Sequence, residues 1–204
     1  MNRREQLSSQ SRPFKKVEFL VVDVETTGLS TADDLILQIG AVVTDAQGNV
    51  KRSYSTYVRP GSSGVFPWGD NEPPAHHVHG ITNEQLRKGK STKRALRRLK
   101  RLSRNRVLVA HNAKFDYGFI KSESARNGLA VSVDTHLCTL ELSRRLDPKR
   151  AESHRLGSLC ERYGIPLSQA HDALCDATAT AQLLAILIKS HGATSVEQLY
   201  QLAK

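Results

Sequence analysis

No apolar run in the 204-residue chain approaches the ~20 residues that a membrane-spanning helix requires, so no membrane partner is expected. The first 16 residues, MNRREQLSSQSRPFKK, are basic and serine-rich and lack the apolar stretch of a secretory signal; they read as a disordered tail. Cysteine is scarce. Cys138, Cys160 and Cys175 form neither a Cys-x-x-Cys pair nor an even set, which leaves a reducing cytoplasm as the expected setting. Acids are missing from one place in particular. Between Arg87 and Arg106, 11 of 20 residues are Lys or Arg and none is Asp or Glu. That block holds the net charge of +10 and leaves the rest of the chain near balance.

What remains is ordinary for one globular domain: 39% hydrophobic and 25% charged residues. Within the basic block Ala95, Leu96, Leu99 and Leu102 recur at helical spacing. A narrow apolar stripe thus lies under a cationic face. The face reads either as a solvated surface or as a flank that attracts nucleic-acid phosphates. Charge alone leaves both readings open.

Three strands are expected first, over Val17–Val24, Leu35–Asp45 and Lys51–Pro60, as an antiparallel meander with a turn at AQGN. Residues 61–74 read as an irregular loop, followed by the basic helix and a short strand, RVLVAHN. A helix is expected from Lys114 to Gly128 and a fifth strand at VSVDT, residues 131–135. Helices follow over His136–Leu146, Leu156–Tyr163 and Ala173–Lys189, then a capped helix in SVEQLYQL. The order predicts an α/β domain with a mixed sheet.

The stretch FLVVDVETTGLS carries two carboxylates out of an apolar strand. Asp23 and Glu25 share a face, their Cα atoms ~6.5 Å apart. At an effective dielectric near 20 they repel by roughly 2–3 kcal/mol, a penalty that a hard divalent cation would remove. VLVAHNAKFD delivers Asp116 to the first turn of a helix. In QAHDALCDATATAQLLAILI, Asp172 is a good N-cap, so His171 falls in the preceding loop. Asp176, one turn in, leans back toward it.

VVDVETTGL, VHGIT, HNAKFD and HDALCDA, in this order and spacing, resemble the DEDDh 3′–5′ exonucleases, the family that includes the proofreading epsilon subunit of bacterial DNA polymerase III. The resemblance runs from about Val17 to Ile188. It implies a ribonuclease-H-like fold, a mixed five-stranded sheet flanked by helices. It also implies an exonuclease domain over 17–190, with a C-terminal helical tail at 191–204. Asp23, Glu25, Asp116 and Asp176 match the four metal-binding acids, and His171 matches the catalytic histidine. Two Mg²⁺ or Mn²⁺ ions are implied, with no small-molecule cofactor. Thr26, Thr27, Gly28 and Leu29 match the turn that holds the terminal nucleotide; His79, His111, Asn112 and Phe115 match positions lining the same pocket.

The expected reaction is hydrolysis of DNA from a 3′ end to 5′-mononucleotides, in proofreading or repair. The expected partner is single-stranded DNA with a free 3′ end, and a DNA polymerase is a second. Two alternatives stay open: an RNA-trimming exoribonuclease of the same family, and a non-catalytic polymerase-associated or nucleic-acid-binding module.

Overall fold

The computed structural model describes residues 13–14, 17–61, 65–131 and 135–204. The expected tail lies almost wholly outside these residues. So does most of the strand expected at 131–135.

Strands β1 (Phe19–Thr26), β2 (Ile36–Thr44) and β3 (Val50–Arg59) form the meander. β5 (Val107–Ala110) joins β1 in parallel, and β6 (His136–Cys138) joins β5 in parallel. The sheet has six strands in the order β4-β3-β2-β1-β5-β6 rather than five. The addition is β4, Lys90–Ser91, a two-residue parallel pairing with Val58–Arg59. Two residues inside a cationic run carry no alternation for a sequence pattern to register. The sequence pattern opens a helix at His136, whereas in the structure His136–Cys138 is a strand with Leu137 fully buried, and the helix begins at Thr139.

Helices cover both faces: α1 (His76–His79), α2 (Asn83–Lys88), α3 (Thr92–Leu102), α4 (Ala113–Arg126), α5 (Thr139–Leu146), α6 (Leu156–Tyr163), α7 (Ala173–Ser190) and α8 (Val196–Leu202). Alternation along β1 separates two cores. Leu20, Val22 and Val24 pack with Leu96 and Leu99 of α3 and Phe119 and Ile120 of α4. Phe19 and Val21 pack with Leu183, Leu184 and Leu187 of α7 and Leu142 of α5. Asp23 and Glu25 continue the second set, so they face α7. α7 is long and apolar enough to cross a membrane by length and composition alone; here it is the central helix, lying along β1 and β2. α8 is N-capped by Ser195 and buries Val196 and Leu199 in the α7-side core.

The basic helix forms where expected, with Ala95, Leu96, Leu99 and Leu102 buried. It leads away from the carboxylates. Beyond its end Arg106 bonds Glu18, 2.7 Å from Nη2, beside the start of β1. Seven residues of extended strand, ~23 Å, separate Glu18 from Glu25.

Candidate active site

The acids gather where β1 outruns its parallel neighbour. β5 pairs with β1 only from Phe19 to Val21, which leaves the Val24 N–H without a strand partner on that side. Asp116, in the first turn of α4, takes that hydrogen through Oδ1 at 3.1 Å. An α4 residue is thereby fixed to the end of β1 across 92 positions of sequence.

A polar residue inside β2 brings α7 to the same end. Gln38, 3% exposed, lies opposite Glu25 in the β1–β2 register. Its Nε2 donates to Asp172 Oδ2 at 2.8 Å, and its Oε1 accepts the Ala173 N–H at 3.2 Å. Asp172 also caps α7 by accepting the Leu174 and Cys175 N–H groups. These hydrogen bonds outweigh partial burial and hold its carboxyl below the usual range. Gly40, opposite Asp23, makes the approach possible: a Cβ there would sit 2.0 Å from the Ala173 carbonyl oxygen. Gln38 and Gly40 are the positioning residues that sequence reasoning missed. The signal was a glutamine and a glycine in an otherwise apolar strand, since a buried amide has to be satisfied by something.

One ligand atom from each of Glu25, His171 and Asp176 lies within 4.8 Å of the others. His171 sits in a left-handed backbone conformation, φ 65°, and its N–H donates to Asp176 Oδ2 at 3.2 Å. Asp176 Oδ1 is buried with no hydrogen-bond partner. Burial pushes the Asp23 carboxyl well up, with Asp116, Glu25 and Asp176 adding repulsion. Glu25 and Asp116 are each raised to about 8, chiefly by burial and then by neighbouring acids; the bond from Val24 only partly offsets this for Asp116. Asp176 is raised by burial against the opposing pull of His171. An oxygen-rich donor set, mutually destabilised and holding one orphaned acceptor, fits a hard divalent cation.

The matched substrate residues divide. Thr26, Thr27, Gly28 and Leu29 form a tight turn directly after Glu25. Thr26 Oγ1 donates to the Gly28 carbonyl at 2.6 Å, and Thr27 Oγ1 donates to Asp34 Oδ1 at 2.7 Å. A Cβ on Gly28 would lie 2.5 Å from Asp34 Oδ2. The turn leaves Leu29 85% exposed. His79 shares a cleft of about 330 Å³ with His171, Asp172 and Gln38. Its own ring is engaged by the Ile81 N–H and the Pro74 carbonyl. His111 faces elsewhere: its ring meets Thr139 Oγ1 and the His154 carbonyl, both at 3.0 Å, and burial pulls it down to about 4. Asn112 is exposed just before α4, and Phe115 packs on Phe119, 4.9 Å between ring centroids.

A mixed sheet with helices on both faces and carboxylates from β1, α4 and α7 at one end defines a nuclease-type α/β domain. The exonuclease family typified by RNase T matches residues 20–184, and the chain belongs to this family of DEDDh-type exonucleases. It is 34% identical over 196 residues to the PolC-type DNA polymerase III of Streptococcus thermophilus, covering 94% of this chain and 13% of the polymerase. Against the PolC-type polymerase of Streptococcus sanguinis the identity is 35% over 185 residues, covering 89% and 12%. The chain thus spans about an eighth of these curated relatives. Among solved structures, E. coli exonuclease I in complex with a dT13 oligonucleotide superimposes with a TM-score of 0.72 at 25% identity, covering 91% of this chain and 43% of that one. The zinc-bound E. coli exonuclease I–ssDNA complex gives a TM-score of 0.73 at 25% identity, covering 91% and 42%.

Proposed function

We propose that this exonuclease removes nucleotides one at a time from the 3′ end of single-stranded DNA, releasing 5′-mononucleotides. The observation that carries the reading is the convergence of Glu25, His171 and Asp176 on one point, beside Asp23 and Asp116. DNA is favoured over RNA because the curated relatives are DNA polymerases and the superimposed exonuclease I structures hold DNA oligonucleotides. The same relatives support a DNA polymerase as partner and a cytoplasmic setting.

Asp23, Glu25 and Asp176 would hold one Mg²⁺ or Mn²⁺ ion, and Asp23 with Asp116 a second. Such ions supply charge that offsets the negative charge growing on the phosphate oxygens, and they acidify water. The protein does the rest. His171 accepts a proton from the water that attacks phosphorus, as an imidazole can near neutral pH. The P–O3′ bond breaks, the penultimate nucleotide keeps its oxygen, which takes a proton from solvent to become a new 3′-hydroxyl, and the terminal one leaves as a 5′-monophosphate. The Asp176–His171 backbone bond keeps the base in register with the acids. Exposed Leu29, on the turn next to Glu25, meets the terminal base, and Thr26 and Thr27 fix the turn.

Digestion of 5′-labelled DNA and RNA oligonucleotides with Mg²⁺ tests the reading. A ladder shortening from the 3′ end, faster on DNA, is expected. Internal cuts, or release of the 5′ label first, would contradict it.

A further inference from the structure

We propose that the cavity between α5, the 147–155 loop and the start of α4 is a second nucleic-acid subsite: a phosphodiester channel for the strand retained after cleavage. Among the described residues, Arg150 and Arg155 are its free cations, and Arg144, paired with Glu141, borders it. The inference rests on the proposed function for its polarity, and its test separates the two.

The cavity is an open cleft of about 650 Å³. Leu140, Asn112, His111 and one acid, Glu152, line it beside the three arginines. Arg144 and Arg150 also line a neighbouring depression of about 260 Å³, together with Arg145, Lys204 and Glu141. The acids nearby are already engaged. Glu152 is held by Arg162 at 2.9 Å, and Glu141 by Arg144 at 2.8 Å. Asp147 Oδ2 accepts the Glu152 N–H and meets His154 Nε2 at 3.2 Å. Among the described residues Arg150 and Arg155 have no acidic partner. Unpaired guanidiniums beside a cavity suit the oxygens of a phosphodiester, which they meet in a planar fork.

The arginines stand on a built loop. Asp147 organises it, and buried His154 ties it to Ser143 of α5 at 3.0 Å. The His154 carbonyl anchors it to His111 at the end of β5. Arg150 itself adopts φ 54°, a left-handed conformation that a non-glycine residue takes at a cost. The loop spends that strain while presenting Arg150 to the cavity.

Position supplies the polarity. The base, His171, stands with Glu25 and Asp176 on the α7 side. In-line displacement sends the leaving 3′-oxygen to the opposite side, which is Asp116's. Asn112, on the cavity wall, precedes Asp116 by one helical turn, ~6 Å along α4, and the Asp116 side chain leans toward it. The strand that keeps the new 3′-hydroxyl therefore departs toward the arginines.

The test has two arms. Fluorescence anisotropy of a labelled dT oligonucleotide, in EDTA so that nothing is cut, compares the wild type with the Arg150→Ala/Arg155→Ala double variant. Arg97→Ala/Arg101→Ala on α3 removes the same two charges elsewhere and controls for charge. The double variant should bind about tenfold more weakly at low salt, and its slope of log affinity against log salt should fall by about 1.4. With Mg²⁺ its KM for the oligonucleotide should rise while kcat stays put. The second arm is wild-type hydrolysis of thymidine 5′-p-nitrophenyl phosphate, which has no retained strand. No cleavage there would sink the proposed function. Cleavage there, with an unchanged affinity and salt slope in the double variant, would overturn the channel alone.

Discussion

Divalent-cation binding at pH 7 should expel protons, and the number follows from the site. With Glu25 and Asp116 both raised to about 8, each is about nine-tenths protonated at pH 7 in the metal-free protein. The first ion needs Glu25 as a carboxylate and the second needs Asp116, so loading both ions should release about two protons per chain at pH 7, falling to about one at pH 8. Asp23, pushed well up by burial and by four neighbouring acids, adds to this number. Apparent affinity for Mn²⁺ should accordingly climb steeply from pH 6 to 8, by up to ~100-fold per unit where two protons are displaced, and flatten above. Calorimetric titration with Mn²⁺ in buffers of different ionisation enthalpy counts the protons directly. Binding at pH 7 with no proton release would mean that the acids are already ionised. Burial and mutual repulsion would then not govern their protonation.

The same shifts fix how the metal-free protein responds to pH. Carboxyls raised in the folded state bind protons that the unfolded chain has lost, so stability should fall as pH rises from about 4 to about 8 and level off beyond; thermal melts in EDTA read this, and added Mn²⁺ should reverse it. His171→Ala should lower kcat by about 10²–10⁴ while Mn²⁺ affinity holds; a parallel loss of affinity would make the imidazole a ligand rather than the base. Gln38→Ala strands the Ala173 N–H and a lone pair of Asp172, costing about 1–3 kcal/mol and lowering kcat as α7 loosens, both read on purified protein. Gly40→Ala drives a methyl onto the Ala173 carbonyl, so the melting temperature should drop by several degrees, and a neutral result would refute the close approach of β2 and α7.

The sheet's first three strands and the long helices were legible because their periodicities are strong and their ends carry caps. The stripe Ala95, Leu96, Leu99 and Leu102 landed buried for the same reason. β4 and β6 were not legible: strands of two and three residues are held by neighbours, Val58–Arg59 and Leu108–Ala110, rather than by their own pattern. The acids were visible as types at a spacing. How they meet was not, because it depends on the Val24 N–H left open beyond β5 and on Gln38 reaching α7 across 134 positions. His111 shows the limit of matching by position, since its ring turns to Thr139 and His154 rather than toward the acids.

The most direct measurement is a crystal of the protein soaked in Mn²⁺, with anomalous diffraction recorded at the manganese edge. The account predicts a peak contacted by the Glu25 and Asp176 carboxylates and by Asp23, lost in Asp23→Ala. Density free of any anomalous signal among these acids, at a concentration that supports cleavage, would contradict it.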